Sequence, residues 1–274
     1  MEAALVFASA ISFLIFLVIP EKFRKYPAIA GWVFIVASVV ADIPYYINSE
    51  NNFLYPVIGI LGIPFVAITA GELLKDNKYV HYLSRGAAIA FLIYVPFGYI
   101  QPLGDALIAI VTSQCVVILN AIGFDITQLA WNLVSHDGFR VEIILACTGL
   151  QAIAIMLGLA FCVPSTFNEK ILSFLVVAPV IYILNLFRNV FVIMAYTGQW
   201  LQVLPEIASN GEYGYESFFW AHNVIAELGA LVFLIVLALI LFRINRNLGI
   251  FSEEIVNLYY GKIKYFTGGF GRDK

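Results

Sequence analysis

The sequence predicts an all-α polytopic integral membrane protein of seven or eight transmembrane helices, with one short non-helical segment on the extracytoplasmic side. Two observations predict it. Of 274 residues, 62% are apolar and only 12% are charged, where a soluble domain carries about 25% charged residues; the mean hydropathy is +0.91. The remaining charges are confined to short connectors, as hydrocarbon solvent requires. No basic run with interleaved aromatics occurs, so nucleic acid is not an expected partner.

A transmembrane helix needs about 20 mostly apolar residues. Seven segments qualify: 3–20, 27–47, 53–74, 84–100, 147–165, 171–198 and 218–242. An eighth, 103–119, is apolar but short and carries Thr112, Ser113 and Gln114 in its middle. Ala3 to Pro20 lacks the basic leader and small-residue cleavage site of a secretory signal and is expected to be a retained helix. With no internal repeat and no linker rich in Pro, Gly or Ser, residues 1–274 read as a single membrane-embedded domain.

Basic residues set the orientation. Lys22, Arg24 and Lys25 follow the first span, and Lys75, Lys78 and Arg85 follow the third. Lys170 precedes the span 171–198, and the tail 243–274 holds Arg243, Arg246, Lys262, Lys264, Arg272 and Lys274. The connectors 48–52 and 199–217 have neither Lys nor Arg. If 103–119 lies at the interface or re-enters, every basic cluster becomes cytoplasmic, with Arg140 and Arg188 as exceptions. The segment 101–146, the connector 199–217 and the amino terminus are then extracytoplasmic. Seven crossings plus one surface helix is the favoured arrangement; eight crossings is the alternative. Gly138–Ala146 alternates into Val141, Ile143 and Leu145, the pattern of a strand or extended piece. Ser252-Glu253-Glu254 reads as the start of an interfacial cytoplasmic helix in the tail.

Polar groups inside spans are expensive and need a reason. Arg188 lies roughly 10 residues, or about 15 Å of helical rise, from the outer end of its span, with Asn185 on its face. It reads either as a structural cation held by carbonyls or an acid, or as a functional group. Cys147 falls at the outer mouth and amino end of a predicted helix, where unpaired N–H groups and the helix dipole favour a thiolate. Its N–H groups could also cradle an oxyanion. His222 opens the last span beside Asn223, and Glu227 lies deeper, as a buried acid able to neutralise Arg188 or brace the cluster. His136 competes with His222 for the same role, whereas His81 falls in a cytoplasmic connector. Cys115 and Cys162 read as packed thiols, Cys162 too far along the helix of Cys147 for a disulfide. The three cysteines have no metal-ligand spacing, and neither a metal nor an organic cofactor is expected.

Cys147, Arg188 and His222 come from three spans, yet an orientation count that used none of them brings all three to the outer half. A thiol nucleophile, an imidazole base and a guanidinium for an oxyanion form a complete acyl-transfer set. The blocks Ala146-Cys147-Thr148-Gly149-Leu150, Asn185-Leu186-Phe187-Arg188-Asn189 and Ala221-His222-Asn223 resemble, in order and separation, those of the exosortase/archaeosortase membrane transpeptidases. The Cys-Thr-Gly form and the Asn-x-x-Arg-Asn block look closest to the archaeosortase A branch, and the likeness covers roughly residues 85–240.

The resemblance implies a sortase-like enzyme that recognises a carboxy-terminal tripartite signal on secreted proteins: a short motif of Pro-Gly-Phe type, a hydrophobic helix and a basic end. The cleaved protein would pass to a membrane lipid. Carried onto this chain, it implies Cys147 as nucleophile, Arg188 as oxyanion or thiolate stabiliser and His222 as proton shuttle. Some relatives carry arginine at the His222 position, and the usual count of about eight spans exceeds the seven favoured above. Thr148, Asn185, Asn189, Asn223 and Glu227 either touch substrate or satisfy the polar cluster. Three rivals remain: an intramembrane cysteine protease with water as acceptor, a transporter built on Arg188 and Glu227 with broken or repeated helices around a midplane site, and a structural membrane scaffold, which leaves Arg188 and Glu227 without a task.

Overall fold

The computed structural model describes residues 2–48 and 54–268. Arg272, Lys274 and most of the connector 48–52 lie outside them. The chain forms helices α1 (Glu2–Val18), α2 (Lys25–Ala41), α3 (Ile43–Asn48), α4 (Leu54–Leu74), α5 (Lys78–Tyr99) and α6 (Gln101–Ala121). Three strands follow, β1 (Thr127–Ala130), β2 (Leu133–His136) and β3 (Phe139–Glu142), then a 3₁₀ turn at Leu145–Thr148. The rest is α7 (Leu150–Phe161), α8 (Phe167–Thr197), α9 (Pro205–Ala208), α10 (Tyr215–Phe218), a π-helical stretch Phe219–Ala226, α11 (Glu227–Ile244) and α12 (Arg246–Gly268).

Among the described residues six helices are long and apolar enough to cross a membrane: Lys25–Tyr45, Pro56–Leu74, Lys78–Tyr99, Gln101–Ala121, Phe167–Thr197 and Tyr215–Ile244. Ala4–Val18 and Leu150–Phe161 are apolar but shorter. The protein is thus an all-α multi-pass membrane protein with a small sheet.

Three elements differ from the sequence expectation. Residues 103–119 are the middle of a continuous 21-residue helix, Gln101–Ala121, which meets the length of a span. Its polar residues are satisfied in place: the Thr112 hydroxyl donates to the Ile108 carbonyl at 2.8 Å, and Gln114 accepts from the Tyr182 hydroxyl at 2.6 Å. Conversely, 147–165 is not one helix. Gly149 adopts φ 77°, which closes the 3₁₀ turn and leaves an α7 of only 12 residues. The tail helix starts at Arg246, ahead of Ser252.

Internal contacts gather into two compact units: Met1–Leu92 with Leu157–Lys170 and Asn245–Lys274, and Ile93–Met156 with Ile171–Ile244. In the first, α1 and α2 pack closely enough that a Cβ on Gly31 would stand 2.8 Å from the Phe13 ring. The Ser9 hydroxyl donates to the Gly31 carbonyl at 2.9 Å, and Trp32 donates from Nε1 to Ser84 at 2.9 Å. Amphipathic α12 docks on α4: Tyr259 hydrogen-bonds Thr69 at 2.6 Å and stacks on Phe65, and Lys262 pairs with Glu72 at 3.0 Å.

The second unit is built around α6, α8 and the sheet, whose shared core includes Val111, Cys115, Leu119, Val134, Val141 and Ile193. The sheet is antiparallel in the order β1-β2-β3, and β3 covers only 139–142 of the expected extended piece. Asp137 (φ 48°) and Gly138 (φ 85°) join β2 to β3 as a two-residue hairpin turn, and the register pairs His136 with Phe139 and Val134 with Val141. Val134 and Val141 point to the core while the neighbouring Arg140 and Glu142 are exposed, the alternation of a half-buried sheet.

Candidate active site

Cys147 sits in the 3₁₀ turn, three residues ahead of α7 rather than at the amino end of a long helix. What holds it is its own carbonyl, which accepts 2.7 Å hydrogen bonds from the side-chain amides of both Asn185 and Asn189. A carbonyl has two lone pairs, and the two amides, one turn apart on α8, take both. Gly149 serves this contact as well as the turn, because a Cβ there would lie 3.1 Å from both Cβ and Cγ of Asn185. Thr148 is buried and turned inward: its hydroxyl donates to the Leu145 carbonyl at 2.7 Å and accepts from the Leu150 N–H at 3.3 Å. The Cys-Thr-Gly block is therefore a turn that presents one residue and closes on α8.

Arg188 lies between the two asparagines in sequence, and its Nη2 is 3.3 Å from His222 Nε2. A guanidinium can only donate, so Nε2 is the acceptor. The other ring nitrogen, Nδ1, then carries the proton and donates to Asn223 Oδ1 at 2.7 Å. These two contacts define one neutral tautomer. His222 stands in the π-helical stretch, a wider helical turn often found at functional sites. Its ring stacks on Phe218 at 4.8 Å, Phe218 meets Tyr196 at 5.4 Å, and Tyr196 meets Phe139 of β3 at 5.4 Å. Ser217 fastens the same end by donating to the Ala195 carbonyl at 2.7 Å while accepting from the Leu201 N–H at 3.0 Å. The sheet and the connector 199–217 thus serve to place an imidazole.

The structure brings together Cys147 with Asn185 and Asn189, and Arg188 with His222 and Asn223. It does not pair the sulfur itself: among the described residues the Cys147 thiol makes no hydrogen bond. Glu227 departs from expectation, being exposed on α11 and forming no ion pair with Arg188 among the described residues. Arg188 accordingly keeps most of its donors uncommitted. His136 stays with the sheet, its Nδ1 on the Asp125 carbonyl and its ring against Phe124, while His81 lies in the other unit, 3.7 Å from Asp76. Of the three free thiols, Cys115 and Cys162 are buried and Cys147 is partly accessible.

Beside Arg188 is a cavity of about 390 Å³ between the start of α7, α8 and α11. Among the described residues that line it, only Asn185 and Arg188 have polar side chains; Gly149, Ala152, Ala226 and Gly229 supply small surfaces along it. A Cβ added to Gly229 would meet nothing within 4 Å, so no packing inside the chain requires a glycine there.

A family profile described as transmembrane exosortase (Exosortase_EpsH) matches residues 3–242. The chain belongs to the exosortase/archaeosortase family. It is 27% identical over 235 residues to archaeosortase A of Haloferax volcanii, covering 75% of this chain and 76% of that one. It is 25% identical over 255 residues to archaeosortase A of Natronomonas pharaonis, covering 86% and 80%. No solved structure matches.

The paired amides make a sharp prediction. Asn185→Ala or Asn189→Ala alone leaves the Cys147 carbonyl one donor, whereas the double variant orphans it at about 1–3 kcal/mol. Thermal unfolding and turnover are therefore expected to fall by more in the double variant than the two single effects together. Additive losses would show that the amides do not share one acceptor.

Proposed function

We propose that this exosortase-family protein is a cysteine transpeptidase at the extracytoplasmic membrane face, which cleaves a Pro-Gly-Phe-type sorting signal and transfers the upstream protein to a membrane lipid. The observation that carries the reading is the arrangement of α8, whose Asn185 and Asn189 hold the Cys147 backbone while Arg188 between them engages His222. Nucleophile, base and cation are thereby referred to one rigid helix, as acyl transfer requires.

In this mechanism the Cys147 thiol gives its proton to His222 Nε2 as sulfur bonds to the peptide carbonyl carbon. Arg188 occupies that nitrogen in the free protein. The developing oxyanion, a stronger acceptor, draws the guanidinium away and frees Nε2 to take the proton. Catalytic hydrogen bonds commonly form only in the substrate complex, which fits the unpaired sulfur seen here. Collapse breaks the C–N bond, His222 returns its proton to the leaving amine, and a thioester remains on Cys147. An amine or hydroxyl of the acceptor lipid then attacks, losing its proton to His222, and the thiolate departs and is reprotonated. Asn185, Asn189 and Thr148 are positioning residues, and Asn223 fixes the imidazole tautomer.

The apolar cavity beside Arg188 suits the hydrophobic helix of the signal, since Gly149, Ala152, Ala226 and Gly229 would let two helix backbones approach closely.

Co-expression with a protein bearing such a tail, read by intact mass, tests the reading. Wild type is expected to remove the tail and add lipid mass, and Cys147→Ala to do neither. Tail loss without lipid would identify a protease, and processing by Cys147→Ala would exclude the cysteine mechanism. Gly229→Leu is expected to unfold near the wild-type temperature yet process substrate at least about tenfold more slowly, overpacking costing about 1–3 kcal/mol. Unchanged processing would place the signal helix elsewhere.

A further inference from the structure

A second cavity, larger than the one beside Arg188, lies in the first unit. It measures about 980 Å³ and is lined by residues of α1, the turn after it, the start of α2 and the start of α5. Lys22, Arg24, Lys25, Lys78 and Arg85 face two acids, Glu21 and Asp76, so the cavity carries a local excess of three positive charges in a chain whose net charge is -3.

The spacing is not that of a random basic connector. Lys78 lies three and four residues before His81 and Tyr82, and Arg85 four and three residues after them, so the set forms one face of α5. The acids do not neutralise the set. Asp76 is taken by Lys25 at 2.8 Å, which holds its carboxyl below the usual range, with His81 at 3.7 Å. Lys22 and Lys78 lie over the rings of Phe23 and Tyr79, each at 4.7 Å. Arg24 donates from Nε to the Ile19 carbonyl at 3.2 Å. Among the described residues Lys22, Arg24, Lys78 and Arg85 have no carboxylate partner. Cations gathered against apolar walls repel one another unless an anion joins them.

The geometry points to a binding site for the phosphate of an anionic lipid headgroup, in the leaflet on which these connectors lie. Phosphate suits a set of Lys and Arg donors approaching from two sides, Arg most of all because its fork matches two phosphate oxygens. A lipid, rather than a dissolved phosphate, is indicated by Phe16, Leu17 and Tyr82, which give the cavity apolar walls where α1 and α5 turn into their apolar lengths. Basic pockets between helix ends are the usual receptors for acidic headgroups. This site is independent of the chemistry proposed for Cys147.

The test is thermal unfolding of the full-length protein in detergent, titrated with dioctanoyl phosphatidylglycerol, dioctanoyl phosphatidylcholine or inorganic phosphate. A ligand that binds only the folded state raises the unfolding temperature in proportion to its occupancy. Phosphatidylglycerol is expected to raise it saturably and phosphatidylcholine much less. Arg85→Gln should move half-saturation to about tenfold higher lipid, as the loss of one charge-assisted contact implies. Lys22→Gln with Lys78→Gln, both exposed, gives the same readout if Arg85→Gln does not fold. Lys170→Gln, which removes a cation outside the cavity, should respond as wild type does. Equal responses to the two lipids, a response to inorganic phosphate alone as large as that to phosphatidylglycerol, or variants that respond as wild type does would each overturn the assignment.

Discussion

The site depends on one arrangement: a main-chain carbonyl left without a helical partner, met by two side-chain amides from another helix. Cys147 lies where a 3₁₀ turn is cut short by a left-handed glycine, so its carbonyl has no partner in α7. Asn185 and Asn189 supply the missing donors. Leaving such a carbonyl unpaired away from water costs about 1–3 kcal/mol, so the contact is a strong constraint. Because Arg188 rides on the same helix between the two amides, fixing the cysteine backbone also fixes where the guanidinium and its imidazole partner stand relative to it.

The small sheet and the connector 199–217 make sense in the same terms. A histidine at the mouth of a helix would ordinarily be free to rotate. Here it is stacked on Phe218, with Tyr196 and Phe139 in turn behind that ring, and held at both nitrogens. The π-helical turn offsets its face from the regular α-helix that follows. Glu227, further along the same helix, is exposed and forms no ion pair with Arg188 among the described residues, so the guanidinium has no permanent counter-ion. In the proposed mechanism such a cation would stabilise charge that appears only during reaction, which is where catalytic binding energy has effect.

The membrane class was legible because long apolar runs are costly anywhere but in lipid, and Arg188 stood out because a cation in such a run is costly in turn. The limits were local. Residues 147–165 read as one helix because they are apolar throughout, and the break at Gly149 depends on a backbone conformation that hydropathy does not sense. Thr112 and Gln114 read as interruptions of α6, although one bonds back into its own helix and the other takes a tyrosine of α8. The Asp137-Gly138 hairpin turn joins two short strands, of which alternation in the sequence marks only the second. The asparagines' common face was visible from their spacing, but their partner, a carbonyl 38 and 42 residues away, was not. Glu227 reads as buried because its neighbours are apolar, and only packing shows that it is exposed.

The central claim is that Cys147 carries the acyl group. It is tested most directly by incubating purified protein with a peptide bearing the sorting motif in the absence of acceptor lipid, then mapping the protein by peptide mass. The account predicts an adduct on Cys147 equal to the peptide upstream of the cut, released by hydroxylamine, with Cys115 and Cys162 unmodified and the adduct much reduced in His222→Ala. Cleaved peptide with no adduct on Cys147 under these conditions, or an adduct on another residue, would contradict it.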